Sequence, residues 1–189
     1  MRQFPLCAAC RAEFDGTNEQ RFHAQTNACP DCGPTVWCED ASLQITARGQ
    51  AAIKAAATVL QYGGSIALKG IGGYQLLCDA TSETALRRLR DRKCRRSKPL
   101  PVMIDPHRIA HEFPAVLFAS SNPIVLVPSH LVENLAESVH PHLNTVGVML
   151  PTTPLHWLLL RECGRPLVVT SGNIEGEPLA FENDGATET

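Results

Sequence analysis

The sequence predicts a mixed α/β fold, in which helices pack on a twisted mixed sheet and a small zinc-finger module precedes the sheet. Short apolar runs bounded by glycine or proline are typical of buried strands. Amphipathic segments with helix caps lie between these runs, and two close cysteine pairs stand near the N-terminus. With 189 residues, of which 44% are hydrophobic, the chain is long enough to bury an ordinary core.

The composition divides the chain into two predicted domains, residues 1–48 and 49–189. The first holds five of the eight cysteines and shows little apolar periodicity. We therefore expect it to be stabilised by a metal rather than by a hydrophobic core. In the second domain, helix and strand patterns alternate, which predicts helices packed on a sheet.

Helix and strand signals in the second domain follow each other closely. The helices are predicted in "QAAIKAAATVLQYGG", in "ETALRRLRDRK" after a Thr81 or Ser82 cap, after Asp105 and Pro106, and in "TPLHWLLLREC". The strands are predicted over residues 65–69, 74–80, 100–104, 122–127, 145–150 and 166–172. Pro99 prevents the second helix from continuing and favours an extended chain after it.

Positive charge is concentrated in one segment. The formal net charge is −2, yet eight of the seventeen Lys and Arg residues lie between Arg87 and Lys98. The protein as a whole therefore has no field that attracts nucleic acid or membrane. No apolar run approaches the roughly 18 residues of a membrane span, and the N-terminus lacks a signal peptide. We expect a cytoplasmic protein with no membrane partner.

The paired cysteines predict a metal site. Cys7, Cys10, Cys29 and Cys32 have the spacing C-x2-C-x18-C-x2-C, which supplies four thiolates for a tetrahedral Zn²⁺ ion. A site closed by four thiolates has no open position for substrate, so its role would be structural. Two disulfides or four unrelated thiols are the alternatives, and His23 in the intervening loop could replace one ligand.

Candidate ligand-binding residues lie at the ends of two strands and one helix. They are Lys69 after one strand, Thr170, Ser171 and Asn173 around the end of another, and Lys93, Arg95, Arg96 and Lys98 after the second helix. Strand ends are where α/β proteins hold ligands, and clustered cations bind phosphates. The glycines of "KGIGGYQ" fit neither common phosphate-loop pattern. Together these residues predict a polyphosphate pocket, although a plain Ser-Gly-Asn turn and helix-capping cations stay open as simpler interpretations.

Two of these motifs resemble a known family. Lys93-Cys94-Arg95 and Ser171-Gly172-Asn173 resemble the K-x-R and S-x-N motifs of YrdC-like domains. With "IALKGIGGYQLLCDAT", "LNTVGVMLPTTPLH" and "RFHAQTNACPDCGP", nearly the whole chain is similar to the HypF carbamoyltransferases of [NiFe]-hydrogenase maturation. The matching part would be the second zinc-finger motif and most of the YrdC-like domain.

The resemblance implies a reaction and roles for the candidate residues. HypF proteins hydrolyse carbamoyl phosphate, adenylate the carbamate with ATP and Mg²⁺ to carbamoyl-AMP, and pass the carbamoyl group to the protein HypE for cyanide ligand synthesis. Lys93 and Arg95 would be catalytic. Nucleotide and substrate would be held by Lys69, Lys98, Thr170, Ser171 and Asn173.

The sequence also departs from that family. HypF proteins have an acylphosphatase domain before this region and a transferase domain after it, so we expect a fragment that neither hydrolyses carbamoyl phosphate nor modifies HypE. Cys94 replaces a residue that is usually basic. Two other functions stay open: a YrdC-like module that binds double-stranded RNA without catalysis, and an inactive remnant.

Overall fold

A computed structural model of the chain describes residues 5–109, 112–174 and 176–181. The chain forms two compact units, residues 1–52 and 53–189. Residues 182–189, which the predicted second domain includes, lie outside the described residues. Independent folding of the two predicted domains stays a prediction. In the described part of the chain, no helix is both long and apolar enough to cross a bilayer.

The first unit contains helix α1 (Ala8–Asp15) and a two-stranded antiparallel ribbon, β1 (Trp37–Glu39) and β2 (Ile45–Arg48). The sequence did not predict these elements, because none of them has a clear apolar period. The ribbon turns at Asp40, whose carboxylate accepts hydrogen bonds from the backbone N–H groups of Ser42 and Gln44. Among residues 5–49 only Cys10 and Asn27 are buried, so this unit has no apolar core.

Three further helices lie in the segments that the sequence predicts to be helical. They are α2 (Gln50–Gln61), α3 (Glu83–Arg92) and α4 (Pro154–Cys163). The Ser82 hydroxyl caps α3 by accepting from the N–H of Ala85, and the Thr153 hydroxyl caps α4 by accepting from the N–H of His156. Helix α4 ends at Gly164, which has a φ of 66°.

Six strands form the sheet of the second unit. They are β3 (Ser65–Lys69), β4 (Tyr74–Asp79), β5 (Val102–Met103), β6 (Val125–Pro128), β7 (Thr145–Met149) and β8 (Leu167–Ser171). Their order is β3-β4-β8-β5-β7-β6; β5 and β7 are parallel, and the other neighbouring pairs are antiparallel. This confirms the predicted mixed α/β fold.

One apolar core fixes the sheet and α3. Leu86 of α3, Val102 of β5 and Val168 of β8 are each fully buried in the same cluster. Because close-packed interiors tolerate little movement, the strand ends that emerge from this core are held in place. The start of β4 lies beside the end of β8, since Gln75 pairs with Ser171 in the antiparallel register.

Helix α3 ends at Arg92, within one residue of the predicted helix over residues 83–93. The helix ends there because Cys94 has a positive φ of 53°. Its N–H donates to the carbonyl of Asp91, and the N–H of Arg95 donates to the carbonyl of Arg90. These two bonds form a Schellman motif with Cys94 at its left-handed position. The following residues bend back instead of extending, and this places residues 93–98, the basic segment, against α3.

The Schellman motif predicts opposite effects of two substitutions at Cys94. Cys94→Gly should raise the free energy of unfolding by about 0.5–1 kcal/mol, because glycine adopts this conformation without steric cost. Cys94→Val should lower it by about 1–2 kcal/mol, because a β-branched side chain is strained there. Urea denaturation measures both values. Equal stabilities for the two variants would contradict the assignment.

Candidate metal centre and ligand cleft

The four predicted metal ligands lie together in the first unit. The Sγ atoms of Cys7, Cys10, Cys29 and Cys32 are all within 4.8 Å of one another. Cys29 Sγ is 3.7 Å from that of Cys7 and 3.8 Å from that of Cys32. A zinc ion with four sulfur ligands at about 2.3 Å requires sulfur atoms about 3.8 Å apart. The donor set and its spacing therefore fit a structural zinc ion.

The alternatives to this metal site do not appear in the structure. All eight cysteines are free thiols, so the two pairs do not form disulfides. His23 lies outside the sulfur cluster and stacks between two aromatic rings, with centroid distances of 5.0 Å to Phe14 and 4.2 Å to Phe22. Its ring therefore packs in the loop between the cysteine pairs.

The cysteine side chains have different proton affinities. Burial, followed by contact with the other three thiols, raises the pKa of Cys10 to about 12. Hydrogen bonds from the backbone of Cys7 and Cys29 lower the pKa of Cys32 to about 6. Four thiolates so close together repel each other, and a divalent cation is the group that would neutralise them.

Removal of the metal should unfold the first unit selectively. Reductively purified protein should contain one zinc per chain, and chelation should collapse the amide signals of residues 5–49 into the narrow range of an unfolded chain, because this part has no apolar core. Two-dimensional NMR with metal analysis measures both effects. Cys10→Ser should act like chelation, whereas Cys38→Ser, outside the cluster, should leave the zinc content unchanged. Much less than one zinc per chain in the wild type would contradict the metal site.

A cleft of about 580 Å³ lies in the second unit, where β4 begins and β8 ends. One set of lining residues is apolar: Pro99, Leu100, Pro101, Ile124, Leu126, Met149, Val169 and Leu179. The polar set comprises Tyr74, Gln75, Arg95, Asn122, Thr170 and Ser171. An apolar cleft with a few converging polar groups is the usual form of a small-molecule site.

A second cavity, of about 470 Å³, lies at the opposite ends of β4 and β8. It is polar, and none of the predicted site residues lines it. Three charged groups line it. Asp79 and Arg165 form an ion pair of 2.8 Å, with the Asp79 side chain almost fully buried, and Arg88 donates to the carbonyl of Gly63 at 2.9 Å. The cleft near Ser171 is therefore the stronger candidate.

Arg90 organises the basic segment beside the cleft. Its side chain is buried, and its Nε donates to the carbonyl of Ser138 at 2.8 Å. Its Nη1 donates to the carbonyls of Arg95 at 2.9 Å and Lys98 at 3.1 Å. Burial, and to a lesser extent the charge of Arg95, lower the pKa of Arg90. The fork of guanidinium donors therefore determines how the chain folds back after α3.

Lys93 joins the basic segment to the turn after β8. Its side chain is buried at 3% exposure, and its Nζ donates to the carbonyl oxygens of Ser171 and Asn173, both at 2.6 Å. The two motifs are thus in direct contact although 78 residues separate Lys93 from Ser171. The ammonium group supports this turn and places a positive charge against the two carbonyl oxygens.

The other predicted residues lie at different distances from the cleft. Arg95, Thr170 and Ser171 line it, and Arg95 Nη2 also donates to the carbonyl of Pro99 at 2.6 Å. Lys69 Nζ lies 5.5 Å from the ring centroid of Tyr74, which is itself a lining residue. Lys98 is exposed and is not part of the lining.

Asn173 contributes to the shape of the turn after β8. Its Nδ2 donates to the carbonyl of Glu177 at 2.5 Å. Gly172 contacts Tyr74 so closely that a Cβ at this position would lie 2.8 Å from the Tyr74 carbonyl oxygen. A larger residue at position 172 would therefore separate β8 from β4 at the mouth of the cleft.

Three structural residues were missed at the sequence level: Arg90, Gln75 and His156. A signal for Arg90 existed, because it is four residues after Leu86 and therefore lies on the buried face of α3. His156 likewise precedes the buried Leu159 and Leu160 by three and four residues. Gln75 has no comparable signal, since its partner is 81 residues away.

Loss of the Arg90 guanidinium should destabilise the second unit strongly. Arg90→Met should lower the free energy of unfolding by about 2–4 kcal/mol, because several buried carbonyl groups lose their donor. Arg92→Met is the matched control; Arg92 is exposed, so the change should stay within about 0.5 kcal/mol. Chemical denaturation compares them. A loss below about 1 kcal/mol for Arg90→Met would contradict its structural role.

Family comparisons match both units. The family model Sua5_yciO_yrdC, described as "Telomere recombination", matches residues 58–189, and the "HypF finger" model matches residues 6–39. The carbamoyltransferase HypF of Rhodobacter capsulatus is 45% identical over 194 aligned residues, which cover 100% of this chain and 26% of that protein.

Solved structures show the same relationship. A full-length HypF in a phosphate- and nucleotide-bound form superposes with a TM-score of 0.80 at 36% identity, over 100% of this chain and 25% of that one. HypF of T. kodakarensis superposes with a TM-score of 0.84 at 33% identity, over 100% of this chain and 26% of that one. The chain thus spans about a quarter of the length of these relatives.

Proposed function

Because the chain belongs to the Sua5/YciO/YrdC family, we propose that its cleft binds ATP and joins carbamate to AMP. The family match and the similarity to HypF carbamoyltransferases along the whole chain confirm the resemblance found in the sequence. The observation that carries the proposal is the contact between the basic segment and the turn after β8, made through Lys93 beside the cleft. One similar HypF structure was solved with phosphate and nucleotide bound, which supports a nucleotide ligand.

The topology of the sheet suggests how a nucleotide would lie in the cleft. Gln75 on β4 and Ser171 on β8 are at one end, and Leu126 on β6 and Met149 on β7 are at the other. Four strand spacings separate β4 from β6, which amounts to roughly 19 Å. The apolar end suits an adenine ring, and the polar end suits phosphates. Arg95 supplies a positive charge in the lining.

The proposed reaction needs orientation and charge neutralisation more than proton transfer. A carbamate oxygen attacks the α-phosphorus of ATP, a new P–O bond forms, and pyrophosphate leaves with the electrons of the broken bond. Negative charge on the phosphates is offset by Arg95, and the buried charge of Lys93 contributes through the turn that it supports. The catalytic assignment of Lys93 and Arg95 is part of this proposal, as is substrate binding by Lys69, Lys98, Thr170, Ser171 and Asn173.

A magnesium ion would enter with the nucleotide. The residues that line the cleft in the described part of the chain include no carboxylate. Mg²⁺ would therefore be held by phosphate oxygens and water, where it would neutralise the leaving pyrophosphate. The zinc site in the first unit is closed by its four cysteines and would take no part in this chemistry.

The steps before and after adenylation are proposed from the similarity to the longer HypF proteins. We infer that the carbamate comes from carbamoyl phosphate and that the carbamoyl group passes toward a HypE-type acceptor, with other HypF domains performing these steps. ATP and reduced thiolates are both available in the cytoplasm, which is the location we propose.

Binding of double-stranded RNA is the second candidate. Arg92, Arg96 and Lys98 are exposed within a stretch of seven residues, 92–98, and could contact phosphates of a duplex. The formal net charge of −2 gives no wider basic surface around them. Such binding would weaken steeply with salt and would not depend on Ser171, which separates this function from nucleotide binding.

Formation of AMP and pyrophosphate from ATP, with carbamate supplied, tests the proposed reaction. Arg95→Ala and Ser171→Ala should each lower the rate about 10- to 1000-fold, because both residues line the cleft. Lys93→Ala should also lower it, with folding checked by circular dichroism. Arg161→Ala is the control, since Arg161 is exposed and outside the lining. A wild-type rate no higher than that of the variants would contradict the proposal.

A further inference from the structure

His156 connects α4 to the cleft through two hydrogen-bonded neighbours. Its side chain is completely buried. On one side, Nδ1 lies 3.3 Å from the backbone nitrogen and 3.1 Å from the hydroxyl oxygen of Thr152. On the other side, Nε2 lies 2.8 Å from Oε1 of Gln75. The imidazole thus stands between the backbone at the start of α4 and a side chain that lines the cleft.

The partners of His156 determine its tautomer. A backbone N–H can only donate, so Nδ1 must accept from Thr152 and carries no proton. The proton of the neutral ring is therefore on Nε2, which donates to Oε1 of Gln75. Burial lowers the pKa of His156, which favours the same neutral form. This chain of bonds determines which end of the Gln75 amide faces the histidine.

The other end of the Gln75 amide faces the cleft. Its Nε2 makes no hydrogen bond with another described residue, and no buried side-chain nitrogen or oxygen in the described part of the chain lacks a partner. Since Gln75 is only half-buried, its Nε2 must be accessible, and the residue lines the cleft. It therefore presents N–H donors beside Ser171, its cross-strand neighbour.

We propose that Gln75 determines ligand specificity by donating from Nε2 to an anionic oxygen, with His156 as its positioning residue. This inference rests on the proposed function, because it places the phosphate or carbamate oxygens at the polar end of the cleft. The lining cation Arg95 and the buried Lys93 beneath Ser171 favour an anion at that end. The base would lie several strands away, against Leu126 and Met149.

The decisive variant is Gln75→Glu. It keeps an oxygen that accepts from His156, removes the N–H donors and adds a negative charge. The affinity for MgATP, measured by calorimetry, should fall about 10- to 100-fold, because an anion-binding donor is replaced by a like charge. The affinity for adenosine should stay the same. Gln50→Glu is the matched control, since Gln50 is exposed and outside the lining.

Two further measurements separate the possible results. If MgATP affinity is unchanged but the KM for bicarbonate, used as a stable analogue of carbamate, rises in ATP-dependent AMP formation, the oxygen belongs to the acyl substrate. If Gln75→Glu changed neither the affinity for MgATP nor the KM for bicarbonate, the inference would be overturned and the proposed function would stay intact. A wild-type chain that bound no MgATP would contradict the proposed function first, and the inference with it.

The orientation of the amide has its own test. Long-range ¹H–¹⁵N spectra of the wild-type chain should show His156 as the neutral tautomer with its proton on Nε2 near neutral pH. In Gln75→Met, which removes the acceptor, the Nε2 proton signal should shift. A proton on Nδ1 in the wild type would overturn the positioning role of His156, because Gln75 would then present its oxygen to the cleft.

Discussion

A buried ammonium needs acceptors, and Lys93 finds them in the carbonyl oxygens of Ser171 and Asn173. Burial of a cation in a protein interior is costly unless polar groups surround it, and these two hydrogen bonds offset part of that cost. This contact determines where the basic segment lies relative to the end of β8. The cleft is bounded by Arg95 from that segment and by Ser171 from that strand, and its shape therefore depends on this contact.

Arg90 provides the second half of the same constraint. Its guanidinium donates hydrogen bonds to the carbonyls of Arg95 and Lys98, so the chain that follows α3 bends back around it. The left-handed conformation of Cys94 allows the bend to begin directly after the helix. Two buried cations thus fix the backbone, and the lining cation Arg95 is positioned by the carbonyls around it. Such a preorganised site spends little further free energy on ordering when an anion binds.

The sequence predicted most of the fold because its signals are local. Strand periods and the Ser82 cap act within a few residues, and the structure shows the corresponding elements. The four-cysteine cluster was predictable for the same reason, since pair spacing alone identifies a metal-binding motif. Helix α1 and the β1-β2 ribbon escaped prediction because their residues are mostly exposed and show no apolar period.

The site was predictable only as a collection of residue types. Charge and strand-end position identified Lys93, Arg95 and Ser171 as candidates. They did not predict the contact between Lys93 and Ser171, because these residues are 78 positions apart in sequence. The Gln75–His156 pair was missed because both partners belong to apolar patterns.

A crystal structure of the chain with a non-hydrolysable ATP analogue would test the account most directly. We expect the phosphates at Arg95 and Ser171, with Lys93 still bonded to the two carbonyls. An analogue bound in the other cavity, or a Lys93 that has left the carbonyls, would contradict it.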